Sequence, residues 1–301
     1  MTTLTSRPSR VVAESGPVAR RKTTRRRPPL RVLLAGAVIL WLVALVAAPG
    51  IFTSHDPLTV SVGDGLRPPS AEHLFGTDRL GRDVWTRVVY GARYSILIGL
   101  AATAIGVTLG TVVGIGAGLS GAFLRGRAGR WLDEGLTRGL DVISAFPAIL
   151  LAMLVVTFTG PGIWNIAIAI GLAGIPLYAR VVRSQTLVVS RGDYVAHAIG
   201  FGRSRWAVLR AHVVPNALTA VPVLAAIDIG TSVLAVSGLS FLGLGPQPPT
   251  PEWGVMLAEA RDVLRVAWWA GLFPGLFITA TVIAFTVLGR WFQIRTDRRF
   301  S

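Results

Sequence analysis

Two acidic side chains, Asp141 and Asp228, fall in or beside stretches otherwise poor in charge, and no other residues of this chain are better placed to do chemistry. An aspartate at the centre of a membrane helix costs about 2.5–3.5 kcal/mol on insertion scales, so it is expected to face protein or water. For Asp141, Arg138 three residues earlier suggests an ion pair near a helix end. Asp228 has no basic residue nearby in its stretch and is the stronger candidate to line an aqueous path. The rest of the inventory points away from catalysis. There is no cysteine, which excludes disulfides, thiol chemistry and cysteine metal sites. His55, His73, His197 and His212 form no short ligand pair, and no Ser, His and Asp constellation or paired carboxylates stand out. A phosphate loop of the G-x-x-x-x-G-K-S/T kind needs a lysine, and the only one, Lys22, lacks the glycine frame. The chain is therefore expected to be no enzyme and to hold no metal or cofactor itself.

The elements that must carry these acids are hydrophobic. Of 301 residues, 52% are hydrophobic and 15% charged, a balance suited to lipid rather than water. A net charge of +15 raises nucleic acid as a partner, but the basic residues gather on no periodic face and no aromatic-rich module accompanies them. Residues 1–31 carry nine basic residues and one acid and read as a disordered tail. An apolar run over 32–52 is long enough to cross a bilayer; a cleaved signal sequence competes with a retained first helix, and the many later spans favour retention. Further spans are expected over 94–121, 136–159, 163–182, 218–238 and 270–291, six in all. With the tail in the cytosol, 23 basic residues lie inside and seven outside, so the positive-inside bias places both termini in the cytosol.

Gly106, Gly110, Gly114 and Gly118 form one stripe of the second span, where small residues let another backbone approach; packing within the chain is preferred to dimerisation. Pro147, Pro176, Pro222 and Pro274 fall within later spans and permit kinks. Outside the membrane, Asp78 is expected to cap a short amphipathic helix with Leu80, Val84 and Val88 on one side and Arg82, Asp83 and Arg87 nearer water. Four prolines between Gly243 and Pro251 fix the entry of Trp253, and Trp268 and Trp269 suit an aromatic belt. For both outer pieces, a receptor-facing surface and simple interfacial anchoring fit equally.

Between the fourth and fifth spans lies a polar, arginine-laden segment, residues 183–217. Asp193 begins a short helix with Tyr194, Ala198 and Phe201 on one face, Gly202 supplies a left-handed turn, and Ser204 caps a second helix carrying Trp206, Leu209 and Val213. Periodicity leaves two readings open, a docking surface and an amphipathic hairpin whose Arg203, Arg205 and Arg210 touch anionic lipid.

DYVAHAIGFGRS followed by HVVPN resembles the cytoplasmic E-A-A loop of permease subunits from ABC importers. HLFGTDRLGRDVWTRVVYGARYS, DVISAFPAILLA and GLSFLGLGPQPPTPEWGVMLAEARDVL resemble the second permease of dipeptide and oligopeptide importers, the DppC/OppC type, and the similarity runs from about residue 31 to 290. The resemblance implies an all-α integral membrane protein of type I ABC importer permease fold, with six transmembrane helices in the cell membrane. Its parts would be the tail 1–31, a first helix over 32–52, an extracytoplasmic segment over 53–93, a core permease domain over 94–291 with the coupling loop 183–217, and a cytosolic tail over 292–301. It assigns ATPase coupling to Asp193, Tyr194, Ala196, His197, Ala198, Ile199, Gly200, Phe201, Gly202 and Arg203. Ala196, His197 and Ala198 hold the E-A-A positions, so the usual glutamate and first alanine are replaced. The tail GRWFQIRTDRR also departs from the acidic ending usual in the family. Implied partners are a second homologous permease, two ATPase subunits or one fused ATPase carrying ATP and Mg, an extracytoplasmic substrate-binding protein and the bilayer. Two other function classes remain: a secondary transporter with Asp141 or Asp228 as its proton or sodium site, and a membrane anchor that organises partners.

Overall fold

The computed structural model describes residues 29–123 and 127–300, and among them no strand forms beyond an isolated bridge between Thr77 and Asp83. Residues 1–28 of the expected basic tail, Lys22 included, lie outside the described residues. The first helix, α1 (Leu30–Ala47), stops where Pro49 excludes helical geometry from Ala48, which sits at φ −140°, ψ 66°. Its outward face, with Leu33, Leu34, Leu40 and Val43, is exposed and apolar, as a lipid-facing surface must be.

Helix α2 (Val84–Phe123) has 40 residues, about 60 Å of rise, and runs through residue 93 without a break. The short amphipathic helix expected outside the membrane is thus the first part of the second span. Its cap is Asp83 and not Asp78: Asp83 Oδ1 accepts from the Thr86 N–H at 2.7 Å. Asp78 instead closes the preceding turn, where its Oδ1 accepts from the N–H groups of Leu80 and Arg82.

The third span departs most from expectation. In place of one helix over 136–159, α3 (Arg127–Ser144) and α4 (Ala148–Thr159) meet at 88°. Pro147 lacks the N–H that would continue the ladder and drives Phe146 out of helical geometry. Alone, α4 rises about 18 Å and is too short to cross a bilayer core. Among the described residues, five helices are long and apolar enough to cross a membrane, and the bent pair taken as one span makes a sixth.

The remaining long helices are α5 (Ile163–Ser190), α9 (Val221–Phe241) and α11 (Trp269–Phe300), with the short helices α6 (Asp193–Gly200), α7 (Arg205–Val208) and α8 (Val214–Ala217) between α5 and α9 and α10 (Trp253–Ala260) before α11. Pro176 and Pro274 lie inside α5 and α11 and Pro147 stands at the 88° bend between α3 and α4, whereas Pro222 begins α9, so of the four only Pro222 is not placed to kink a span. The glycine stripe packs within the chain. A Cβ on Gly110 would lie 2.6 Å from Tyr178 Cβ and 2.8 Å from the Ile175 carbonyl oxygen, and Gly114 and Gly118 meet Ala179 and Thr186 as closely. Helices α2 and α5 are therefore joined backbone to backbone over several turns.

Candidate functional site

Three places position polar chemistry: a hairpin after α5, a cleft at the middle of the bundle, and a knot of charges at the far end. The hairpin comprises α6 (Asp193–Gly200), α7 (Arg205–Val208), a π-helical turn over Leu209–Val213 and α8 (Val214–Ala217). Val195, Ala198 and Ile199 turn inward, and Val195 packs with Val208 and Val213 against Leu119 of α2 and Val189 of α5. Asp193, Ala196, His197 and Gly200, at i, i+3, i+4 and i+7, form the exposed face. Tyr194 is half exposed, Phe201 is 89% exposed, and Gly202 and Arg203 are also at the surface. Tyr194 and Ala198 lie on one side of the helix, as i, i+4 spacing requires, but Ala198 sits at its inward edge while Tyr194 reaches the surface and Phe201 lies just beyond the helix end.

Two local expectations hold. Gly202 has φ +84°, the left-handed region open to glycine, and Ser204 Oγ accepts from the Ala207 N–H at 3.3 Å as an N-cap. A third does not. Trp206 is exposed, and the buried pair is Val208 and Val213, five residues apart. The π turn widens the helix at that point, so five-residue spacing faces one way where α spacing had selected Trp206, Leu209 and Val213.

In the middle of the bundle, Asp228 of α9 borders a cleft of about 330 Å³ with Thr231, Ser232, Gly174 and Leu177. Tyr178 Oη donates to Asp228 Oδ2 at 2.8 Å, and Thr231 Oγ1 donates to Oδ1 at 2.9 Å. Asp141 lies elsewhere. Its partner is Arg180 of α5 at 3.1 Å rather than Arg138, and Arg183 holds Asp133 through two bonds of 2.7 and 2.8 Å. These two arginines fasten α3 to α5. The structure thus separates the two acids that the sequence placed together as path candidates.

At the opposite end from the hairpin, Arg82 donates to Asp78 at 2.6 Å and to Glu259 at 2.9 Å, and Arg87 donates to Glu259 at 2.7 Å. Both guanidinium groups are buried, contrary to their expected place near water, because α10 folds over them and supplies the carboxylate. Glu252, buried at the start of α10, accepts from Ser95 Oγ and from the Val255 N–H, and caps that helix. Trp269 is likewise no belt residue: it is buried, and its indole N–H donates to the Thr77 carbonyl at 3.1 Å, while Trp268 stays exposed. Composition could have flagged Arg87 and Glu259, which are charges among mostly apolar neighbours, but the pairing of Arg82 and Arg87 with Glu259 spans more than 170 residues.

A family model described as the inner membrane component of binding-protein-dependent transport systems matches residues 106–301. The chain belongs to this family of ABC importer permeases. Its relatives include permeases named for dipeptide and for glutathione transport: it is 38% identical over 261 residues to the probable D,D-dipeptide transport system permease protein DdpC of Escherichia coli K12, covering 87% of this chain and 85% of that protein. It is 37% identical to the dipeptide transport system permease protein DppC of Alkalihalophilus pseudofirmus, covering 86% and 83%. It is 41% identical to the glutathione transport system permease protein GsiD of Escherichia coli O6:K15:H31, covering 88% and 84%. A crystal structure of an amino acid ABC transporter with histidines shares the permease fold, with TM-score 0.54 and 14% identity over 69% of this chain and 94% of that one. The reading as a transporter driven by an ion gradient finds no support among these relatives.

Proposed function

We propose that this permease is one transmembrane half of an ATP-driven importer of peptides or a related small solute, and that it couples hydrolysis in a separate ATPase to movement of its helices. The observation that carries this reading is the hairpin: α6 presents a free face of Asp193, Ala196, His197 and Gly200 while its other face is wedged between the ends of α2 and α5. A force on α6 passes directly into the two longest-packed helices, because the glycine stripe leaves no slack between them. Ala196 and His197 stand at the surface, so any ATPase groove that receives this helix meets a small side chain and an imidazole in place of the usual carboxylate and alanine.

A second permease would complete the path, two ATPase subunits or one fused ATPase would bind ATP and Mg, and an extracytoplasmic binding protein would deliver the solute to the end carrying α10. Both termini then lie in the cytosol, as the arginine distribution favours. Asp228 lines the path, and Asp141, held by Arg180 away from the cleft, positions α3. Dipeptide and glutathione permeases among the relatives favour a small peptide as solute.

Reconstitution in proteoliposomes tests this reading. Uptake is expected only with the ATPase and ATP present, and uptake driven by a proton gradient alone would overturn it.

A further inference from the structure

The cleft at Asp228 has a neighbour. A second cavity of about 500 Å³ is bounded by Val181 and Gln185 of α5, Ala220 and Leu224 at the start of α9, and Tyr194 of α6. Leu177, Val181 and Gln185 step by four along α5, and Ala220, Leu224 and Asp228 step by four along α9, so both cavities use one stripe of each helix. Tyr178 and Asp228 join the two helices at the level where one lining gives way to the other. Among the described residues lining either cavity, Asp228 is the only charged side chain. Its two oxygens each accept one hydroxyl, which leaves lone pairs free and the negative charge without a cation. A carboxylate in such surroundings gains most from a ligand that brings both positive charge and N–H donors.

We propose that the two cavities are successive chambers of a single groove between α5 and α9, that the Tyr178–Asp228 hydrogen bond closes it midway, and that Asp228 makes it selective for solutes bearing an ammonium group. This rests on the proposed import path. It adds the residue that divides the path and the chemistry that the division favours. Gly110 bears on the division as well, since it brings α2 against Tyr178 and holds the phenol in reach of α9.

The chain has no cysteine, so single replacements report on the groove in the full assembled transporter. Leu177→Cys and Leu224→Cys sample the two chambers, probed with a cationic and an anionic methanethiosulfonate added from the side opposite α6, with rates normalised to free cysteine in water. Both positions are expected to react, and at Leu224→Cys the cation is favoured roughly fivefold or more, the scale of one unit charge at close range in water. Asp228→Asn should abolish that preference, Asp228→Glu should keep it, and Tyr178→Phe should speed entry to Leu224→Cys for either reagent. An equal normalised preference in the Asp and Asn forms would overturn the selectivity, and an unchanged entry rate in Tyr178→Phe would overturn the closure. Protection of both cysteines, by the second permease or by lipid, would overturn the groove even with ATP-driven uptake intact. Reactive cysteines with the predicted preference, but uptake indifferent to ATP, would instead sink the import reading and leave the groove standing.

Discussion

The two ends of this permease are fastened differently. At the end carrying α10, two buried guanidinium groups share Glu259, and the indole N–H groups of Trp253 and Trp269 reach the carbonyls of Val88 and Thr77. Segments more than 150 residues apart in the chain are locked there by charge-assisted bonds to Glu259 and Glu252 and by the neutral bonds of Trp253. At the other end, the hairpin is held by the contacts of Val195, Val208 and Val213, while Tyr194, Phe201 and Trp206 remain exposed. Non-directional apolar contact tolerates sliding, whereas a buried ion pair has one good geometry. The fixed end suits an anchor and the loosely seated end a handle.

The strongest way to break this contrast is to unlock the anchor. Glu259→Ala leaves Arg82 and Arg87 facing Asp78 alone and is expected to destabilise the protein by about 3–5 kcal/mol, the usual cost of stranding a buried charge. Thermal unfolding of the purified complex measures this, and a loss within the range of a surface substitution would show that the knot is not an anchor. Next is the linkage between the ends. Gly110→Val sets side-chain atoms where Tyr178 Cβ and the Ile175 carbonyl already sit, and should cost about 1–3 kcal/mol as α2 and α5 are forced apart. ATP-driven uptake should fall along with stability.

At the handle, stability and transport should separate. Phe201→Ala removes a ring that touches little of the chain, so unfolding should shift by no more than about 0.5 kcal/mol, as at other exposed sites. Uptake should nevertheless drop about tenfold, equivalent to roughly 1.4 kcal/mol of lost docking. Equal losses of both would make the hairpin a structural element. A smaller effect is expected of Arg183→Ala, which removes one of the two ion pairs between α3 and α5 at a partly exposed site and should cost about 1 kcal/mol, with faster hydrogen exchange confined to α3.

The smallest effect lies in the outer loop. The Ser61 hydroxyl, followed by the charges of Arg67 and His73, holds the Asp64 carboxyl below its ordinary value against an opposing effect of burial. Because the folded pKa is the lower one, the contribution of Asp64 is present above the unfolded value of about 3.9 and fades as pH falls through the folded value. Ser61→Ala should move that titration upward, which exchange or resonance shifts of residues 61–67 would register.

Much of this fold is legible in the sequence because hydropathy, glycine spacing and caps act locally. The apolar runs give the spans, the four-residue glycine interval gives the α2 seam, and Gly202 and Ser204 give the shape of the hairpin. What escapes is set by partners distant in sequence or by backbone irregularity. Pro147 marks the place of a kink, but hydropathy averaged across it does not show that the bend reaches 88° and splits the span. Arg138 was the nearest basic residue along the chain, but Arg180 was nearest in space to Asp141. Charge counting treated Arg82 and Arg87 as wet because it cannot see α10 closing over them. No periodicity rule anticipates the π turn that exchanges Trp206 for Val208, or the meeting of Tyr178 with Asp228 from helices 50 residues apart.

The most direct test of the account is a crosslink between the hairpin and the motor. With a cysteine at His197 and one in the groove of the partner ATPase, the assembled transporter should crosslink in high yield, and uptake should stop when the bond forms and resume on reduction. A hairpin that never crosslinks while ATP-driven uptake proceeds, or one labelled only from outside the cell, would contradict it.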